Sequence, residues 1–138
     1  MKILISTLLL VISASCIVSQ NIININSIEL EKTIEELDKQ NSVIIDGRSA
    51  EKFAENHIID AINIDAFSEE AQKEILNYLN KHTILLYCTT FNRVELLTEI
   101  LTNLNYSGTI IVVEDGLAGM MKNIPNSKIF SINLNNQF

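Results

Sequence analysis

The sequence predicts an α/β fold in which a central, mostly parallel sheet is covered by helices on both faces. Three short segments, SVIID (42–46), TILLYC (83–88) and TIIVVED (109–115), are largely apolar and rich in β-branched residues. Such composition is typical of strands buried on both faces. Between them lie segments whose apolar residues recur at helical spacing. Strands and helices that alternate in this way indicate a parallel sheet with helical crossovers.

The remaining elements follow from local signals. NIININ (21–26) has the composition of a short edge strand, and Asn26 or Ser27 can cap the helix after it. The predicted helices are IELEKTIEELDKQ (28–40), SAEKFAENH (49–57), EEAQKEILNYLNK (69–81, capped by Ser68), NRVELLTEILTNLNYSG (92–108, closed by Gly108) and GLAGMMKNI (116–124). The other predicted strands are AINI (61–64) and an outer strand, KIFSINL (128–134).

The first residues have the three-part pattern of an export signal. Lys2 is followed by an apolar run from Ile3 to Ile12 and then by small residues. The run is shorter than the roughly 20 apolar residues that a membrane-spanning helix needs. We therefore predict a signal peptide at 1–19 and one domain at 20–138, exported to the periplasm or cell envelope. A buried N-terminal strand or helix is the alternative interpretation.

Cys16 admits a second form of this signal. The sequence SASC resembles a lipoprotein box, in which cleavage before the cysteine makes it the acylated first residue of the mature chain. Plain cleavage near Ser15 or Ser19 is the other option, and the sequence does not decide between them. A lipid on Cys16 would tether the domain to a membrane, and without it we expect no membrane contact.

Composition limits the partners of the domain. The chain has 138 residues, 47% of them hydrophobic and 20% charged, which fits a single globular domain. Its net charge of -7 argues against nucleic acid or an anionic membrane surface as the main partner. The two histidines and the cysteine of the predicted domain are widely spaced and form no metal-ligand pattern. We expect a monomer without a metal.

The loop CTTFNR (88–93) is the candidate site, because it follows a buried strand and precedes a helix. In parallel sheets the working site lies in such loops, at the carboxyl ends of the strands. Backbone N–H groups and the helix N-terminus would favour the thiolate form of Cys88, which would then act as a nucleophile. Further groups that can hold an anion come from the rest of the loop: Thr89, Thr90, Asn92 and, as a planar donor fork, Arg93.

A structural interpretation of the same residues stands beside this one. Cysteine is also a common small hydrophobe at the end of a core strand. Arg93 would then be a surface residue of an ordinary helix. The position of Cys88 before a helix, in a predicted domain that holds one thiol, makes the two interpretations about equal.

Three blocks of the sequence, in order, resemble the rhodanese-like domain, the sulfurtransferase fold, over about residues 25–124. VIIDGRSAEKFAENHIIDAINI resembles the family's Asp-x-Arg triplet, acidic helix and His-Ile-Pro-Gly-Ala-x-Asn stretch. ILLYCTTFNR resembles the block of the catalytic cysteine, and VVEDGLAGM resembles the closing Gly-Gly turn, with Gly116 at its second glycine. The matching residues of the first block are Asp46, Arg48, Glu51, Phe53, His57, Ile58, Ala61, Ile62 and Asn63.

The resemblance implies transfer of sulfane sulfur without a cofactor. Cys88 would attack thiosulfate or another small sulfur donor and become a persulfide, and a thiol or cyanide would accept the outer sulfur. Residues 89–93 would bind the donor, while Asp46 organises the loop or pairs with a nearby donor and Arg48 makes a structural ion pair. Four residues separate Cys88 from Arg93, whereas cysteine phosphatases have five, and this difference favours sulfurtransferase chemistry.

Several residues depart from the family pattern. Thr89 stands where a basic residue is usual, and Phe91 where a glycine is usual. If Phe91 needs a positive φ, strain costs about 1 kcal/mol, and otherwise it can sit at the mouth of the loop as an apolar lid. The family's turn glycines and proline are replaced by Asn56, Ile59, Asp60 and Asp115. Asn and Asp tolerate left-handed backbone better than other residues. Two alternatives to an enzyme therefore stand: a non-catalytic rhodanese-like binding module and a thiol redox sensor.

Overall fold

The computed structural model describes residues 20–89 and 91–132, and this part of the chain has the predicted α/β architecture. Its larger sheet consists, within those residues, of β1 (Asn21–Ile25), β2 (Ser42–Asp46), β4 (Ile62–Asn63), β5 (Thr83–Tyr87) and β6 (Thr109–Val113). These strands lie in the order β1-β6-β5-β2-β4, and each neighbouring pair is parallel. A smaller sheet pairs β3 (Asn56–Ile58) with β7 (Phe130–Ile132), antiparallel.

Helices cover both faces of the larger sheet. They are α1 (Ser27–Glu36), α2 (Ala50–Glu55), α3 (Ala71–Ile75), α4 (Asn92–Asn103) and α5 (Gly116–Asn123), and a 3-10 turn (Leu76–Tyr78) continues α3. Contacts join α1 to α5 and α3 to α4. The buried apolar residues accordingly form two clusters, one under α1 and α5 and the other under α3 and α4.

Alternation along β5 divides its side chains between the two clusters. Ile84 and Leu86 face α3 and α4, whereas Leu85 and Tyr87 face α1 and α5, and all four are buried. Burial of each such apolar side chain stabilises the fold by about 1.5–3 kcal/mol. Cys88 continues the alternation and therefore lies on the side of α4.

The start of α1 shows why a helix begins there. The side chain of Asn26 accepts hydrogen bonds from the N–H groups of Ile28 and Glu29, at 2.9 and 3.3 Å. The carboxylate of Glu29 accepts the N–H of Asn26 at 3.1 Å, which completes a capping box. The first backbone N–H groups of a helix have no partner within the helix, and here nearby side chains accept their hydrogen bonds.

Four helix boundaries predicted from the sequence were wrong. The helix predicted over 49–57 ends at Glu55, because the backbone of Asn56 is extended, with a ψ of 150°, and begins β3. The helix predicted to close at Gly108 ends earlier, because Asn105, with a φ of 54°, makes the turn. α1 stops where the backbone of Leu37 becomes extended, with a ψ of 132°. Ser68 accepts the N–H of Glu70 in a local turn at 3.1 Å, and the helix predicted after it is shortened to α3 and the 3-10 turn.

Candidate active site

Cys88 lies at the carboxyl end of β5, which has strands on both sides in the larger sheet. Its side chain is 1% exposed and belongs to the same buried cluster as Val94 and Leu97 of α4. The thiol is therefore placed by the core of the domain, at the edge of the sheet where the strand-to-helix loops gather.

The N-terminus of α5 holds the loop from one side. The N–H of Leu117 donates to the carbonyl of Cys88 at 2.6 Å, and the N–H of Ala118 is 3.4 Å from the carbonyl oxygen of Thr89. In a trans peptide the C=O and the following N–H point in opposite directions. The carbonyl of Cys88 faces α5, so the N–H of Thr89 faces away from it.

Gly116 makes this close approach possible. Its φ is +53°, and a Cβ at this position would lie 2.5 Å from the carbonyl oxygen of Cys88. Both the left-handed backbone and the missing side chain are needed, because any larger residue would be strained and would also collide with the loop. Gly116 thus has a steric role at this contact.

Arg93 is the cation nearest in sequence to the thiol, and among the described residues its guanidinium contacts Asp65, Gly47 and Phe67. Nη1 donates to Asp65 Oδ1 at 2.6 Å and to the carbonyl of Gly47 at 3.3 Å. The guanidinium carbon lies 4.2 Å from the centre of the Phe67 ring, in a cation–π contact. The predicted donor fork is therefore already bound to a carboxylate at the mouth of the loop.

Asp65 is the residue of this edge that the sequence analysis missed. It follows β4, which lies within the strand predicted at 61–64, and the carboxyl ends of parallel strands meet at one edge of a sheet. The order of the elements therefore predicts a carboxylate at this edge. Its position beside the loop after β5 depends on the strand order β5-β2-β4, which the sequence analysis did not predict.

Asp46 and Arg48 form a second pair, which is buried. Arg48 Nε lies 3.0 Å from both carboxylate oxygens of Asp46, and Nη2 lies 2.6 Å from Oδ2. Arg48 also donates to the side chain and the carbonyl of Asn56. The ion pair expected for Arg48 is thus present, and it ties the end of β2 to the start of β3.

Burial and the Asp46–Arg48 pair together shift the pKa values of Arg48 and Tyr87. Burial acts to lower the pKa of Arg48, but hydrogen bonds and the charge of Asp46 outweigh it and raise the pKa above its ordinary value. Burial, and after it the charge of Asp46, also raise the pKa of Tyr87. Tyr87 therefore stays a neutral phenol, and its Oη accepts the N–H of Ile58 at 3.0 Å.

The remaining described residues of the loop lie at the surface. Thr89, Phe91 and Asn92 are exposed, Phe91 by 37%. Phe91 has a φ of -72° and a ψ of -31°, so the left-handed strain considered for this residue does not arise. Its ring lines a groove together with Glu95 of α4 and Val112 of β6.

Residues 29–123 match the model of the rhodanese-like domain family, and this span contains the loop and both Asp–Arg pairs. The chain belongs to the rhodanese-like family. The match confirms the family and the fold predicted from the three sequence blocks. No curated protein sequence matches the chain.

Solved structures share this rhodanese-like fold. A rhodanese-like domain from Anabaena sp. is 14% identical, with a TM-score of 0.65 and 83% of each chain covered. An As-Sb reductase from Leishmania major is 15% identical, with a TM-score of 0.60 and coverage of 85% of this chain and 89% of that one. A thiosulfate sulfurtransferase from Pseudomonas aeruginosa is 16% identical, with a TM-score of 0.57 and coverage of 72% and 19%. At these identities the likeness shows the fold alone.

One of the three Asn and Asp residues at the turn positions of this rhodanese-like domain is left-handed. Asp60 has a φ of 66°, whereas Asn56 and Asp115 have φ values of -164° and -87°. Asp115 instead accepts hydrogen bonds from the N–H and the hydroxyl of Ser27, at 2.8 and 2.5 Å. It therefore joins the start of α5 to the start of α1.

Two predicted site residues, Thr90 and Cys16, lie outside the residues that the structure describes, as does the predicted signal peptide at 1–19. The hypotheses of export and lipidation stay predictions. Within residues 20–89 and 91–132, no group of His, Cys, Asp or Glu side chains is arranged to hold a metal ion. In the same part of the chain, no helix has the length and apolar character that crossing a bilayer requires.

Proposed function

We propose that this rhodanese-like domain is a sulfurtransferase that carries sulfane sulfur on Cys88. The observation that carries the proposal is the placement of the loop. Cys88 stands at the carboxyl end of β5, and α5 takes up the carbonyls of Cys88 and Thr89. The N–H of Thr89 therefore faces away from α5, on the side from which it can donate to a persulfide anion on Cys88.

The reaction would proceed in two covalent steps. The Cys88 thiolate attacks the outer sulfur of the donor, a sulfur–sulfur bond forms, and the bond between the two donor sulfurs breaks. With thiosulfate, the leaving group is sulfite, which departs with the electron pair of the broken bond. In the second step a thiolate or cyanide attacks the outer sulfur, and the Cys88 thiolate is regenerated.

The size of the loop supports a small transferred group. Four residues lie between Cys88 and Arg93, and α4 begins within this interval at Asn92. Arg93 is turned to Asp65 and the Gly47 carbonyl. A loop of this length suits transfer of a single sulfur atom better than transfer of a tetrahedral phosphoryl group.

Intact mass of the purified chain tests the proposal. We expect a gain of one sulfur atom after incubation with thiosulfate or with cysteine persulfide, and a return to the original mass after cyanide. Cys16→Ser and Cys88→Ser are matched controls, because each removes one of the two cysteines of the sequence. The gain should persist in Cys16→Ser and vanish in Cys88→Ser.

Burial of Cys88 favours a second candidate, a non-catalytic binding module. The side chain is 1% exposed, and Arg93 is engaged by Asp65. A mass unchanged by both donors, together with a Cys88 that iodoacetamide does not alkylate in the folded protein, would support this candidate. Alkylation without sulfur uptake would point to the thiol sensor instead. Either result would reject the sulfurtransferase.

A further inference from the structure

The two arginines of the sequence both lie at the carboxyl edge of the sheet, and each is paired with a carboxylate. Arg48 is bound to Asp46 and Arg93 to Asp65, so neither contributes an uncompensated positive charge to the mouth of the loop. Glu95 in the first turn of α4 is an exposed carboxylate on the helix that follows the loop. The edge that receives the sulfur donor is therefore neutral to acidic.

Asp65 is held in place by its own turn. Its Oδ1 accepts the N–H of Phe67 at 3.0 Å as well as Nη1 of Arg93 at 2.6 Å, and its carbonyl accepts the N–H of Ser68 at 2.9 Å. Phe67 lies against the same guanidinium. The carboxylate is thus fixed beside Arg93 by the backbone of the turn, and the pair is part of the folded geometry of the site.

We propose that Asp65 is a positioning residue that sets the preference of this site for the sulfur donor. By neutralising Arg93, Asp65 selects donors of lower charge, namely organic hydropersulfides in their neutral or singly charged form, over the thiosulfate dianion. The inference rests on the proposed sulfurtransferase function and names its substrate class. Its physical basis is that the paired carboxylate cancels the attraction of Arg93 for a dianion, in a chain whose net charge of -7 repels one.

The preferred step balances in atoms and charge. The Cys88 thiolate attacks the terminal sulfur of R–S–SH, a new sulfur–sulfur bond forms on Cys88, and the bond between the donor sulfurs breaks. The products are the Cys88 hydropersulfide and the thiolate R–S⁻, which leaves with the electron pair. One negative charge is present before and after the step, and no external oxidant or reductant is needed.

Rates of sulfur uptake on the full chain test this proposal. All variants carry Cys16→Ser, so that Cys88 is the one thiol, and uptake from thiosulfate and from cysteine persulfide is followed by mass in quenched samples. We expect Asp65→Asn to raise the second-order rate constant with thiosulfate about tenfold and to leave that with cysteine persulfide within about twofold.

Asp60→Asn is the matched control. It removes the same charge from an exposed carboxylate that pairs with Lys39, before β4 rather than after it, and Asn tolerates the left-handed backbone at Asp60. This control should leave the ratio of the two rates unchanged. Added salt should accelerate the thiosulfate reaction of the parent, because it screens the repulsion, and should do so less in Asp65→Asn.

The outcomes separate the two proposals. Uptake from both donors with a ratio that Asp65→Asn does not change, or that Asp60→Asn changes equally, would overturn the role of Asp65 and leave the sulfurtransferase standing. No uptake from either donor in any variant would overturn both. A shift in the ratio that is specific to Asp65→Asn, with the altered salt dependence, would establish the preference, since a purely structural effect would slow both donors together.

Discussion

Two aspartate–arginine pairs flank the loop that carries Cys88, and they differ in burial, in geometry and in separation along the chain. The side chains of Arg48 and Asp46 are 4% and 0% exposed, and the residues are two positions apart. Those of Arg93 and Asp65 are 27% and 33% exposed and 28 positions apart. The first pair joins through several hydrogen bonds, whereas one nitrogen of Arg93 joins the second.

The difference in burial decides what each pair can do. A buried charge is costly when its partner is lost, so the Asp46–Arg48 pair is fixed as a unit. A partly exposed pair is screened by water and contributes little to stability, so the Asp65–Arg93 pair can vary in charge without unfolding the domain. The first pair therefore belongs to the scaffold, and the second is free to tune what the site binds.

The largest effect is expected from breaking the buried pair. Asp46→Asn leaves the Arg48 guanidinium buried without a counter-charge, and we expect the free energy of unfolding to fall by about 3–5 kcal/mol. Urea denaturation of the parent and the variant measures this change in the free energy of unfolding. The double variant Asp46→Asn/Arg48→Met is the control, since removal of both charges should recover much of the loss. A loss below that of the surface pair would contradict the comparison.

A smaller effect is expected at the contact between the start of α5 and the carbonyl of Cys88. Gly116→Ala would place a methyl group 2.5 Å from the Cys88 carbonyl at a φ of +53°, and we expect a loss of about 2 kcal/mol with slower sulfur uptake. Gly108→Ala is the control, because its Cβ would collide with the hydroxyl oxygen of Tyr106, next to the amino end of β6 and away from the loop. Unfolding and uptake rates are compared, and equal losses in both variants would argue against a specific role for α5.

The smallest effect is expected at the surface pair. A double-mutant cycle with Asp65→Asn and Arg93→Met should give a coupling energy of about 0.5 kcal/mol in urea denaturation, because both side chains meet solvent. The coupling should shrink further in high salt. A coupling of several kcal/mol would mean that the second pair is structural like the first, and that its charge cannot vary independently of the fold.

Much of the architecture was predictable because it rests on local patterns. The apolar runs placed β2, β5 and β6, and Cys88 at the end of β5 placed the candidate site. Helix ends were less predictable, because single residues such as Asn105 set them through backbone conformations that other residues also adopt. The contacts of Arg93 were missed because they depend on the order of the strands, which brings Gly47 and Asp65 to the same edge. The departure at Phe91 was overrated, since α4 begins in ordinary right-handed backbone there.

The contact between α5 and the loop also sets an order of events during synthesis. The ribosome makes Cys88 before Leu117, whose N–H donates to the Cys88 carbonyl. Asn21 of β1 pairs with Thr109 of β6, which is made 88 residues later. Such long-range pairings form late, because a large loop must close first. A growing chain thus carries the thiol before the backbone that positions it exists. We expect the site to mature only when nearly all of the domain has emerged.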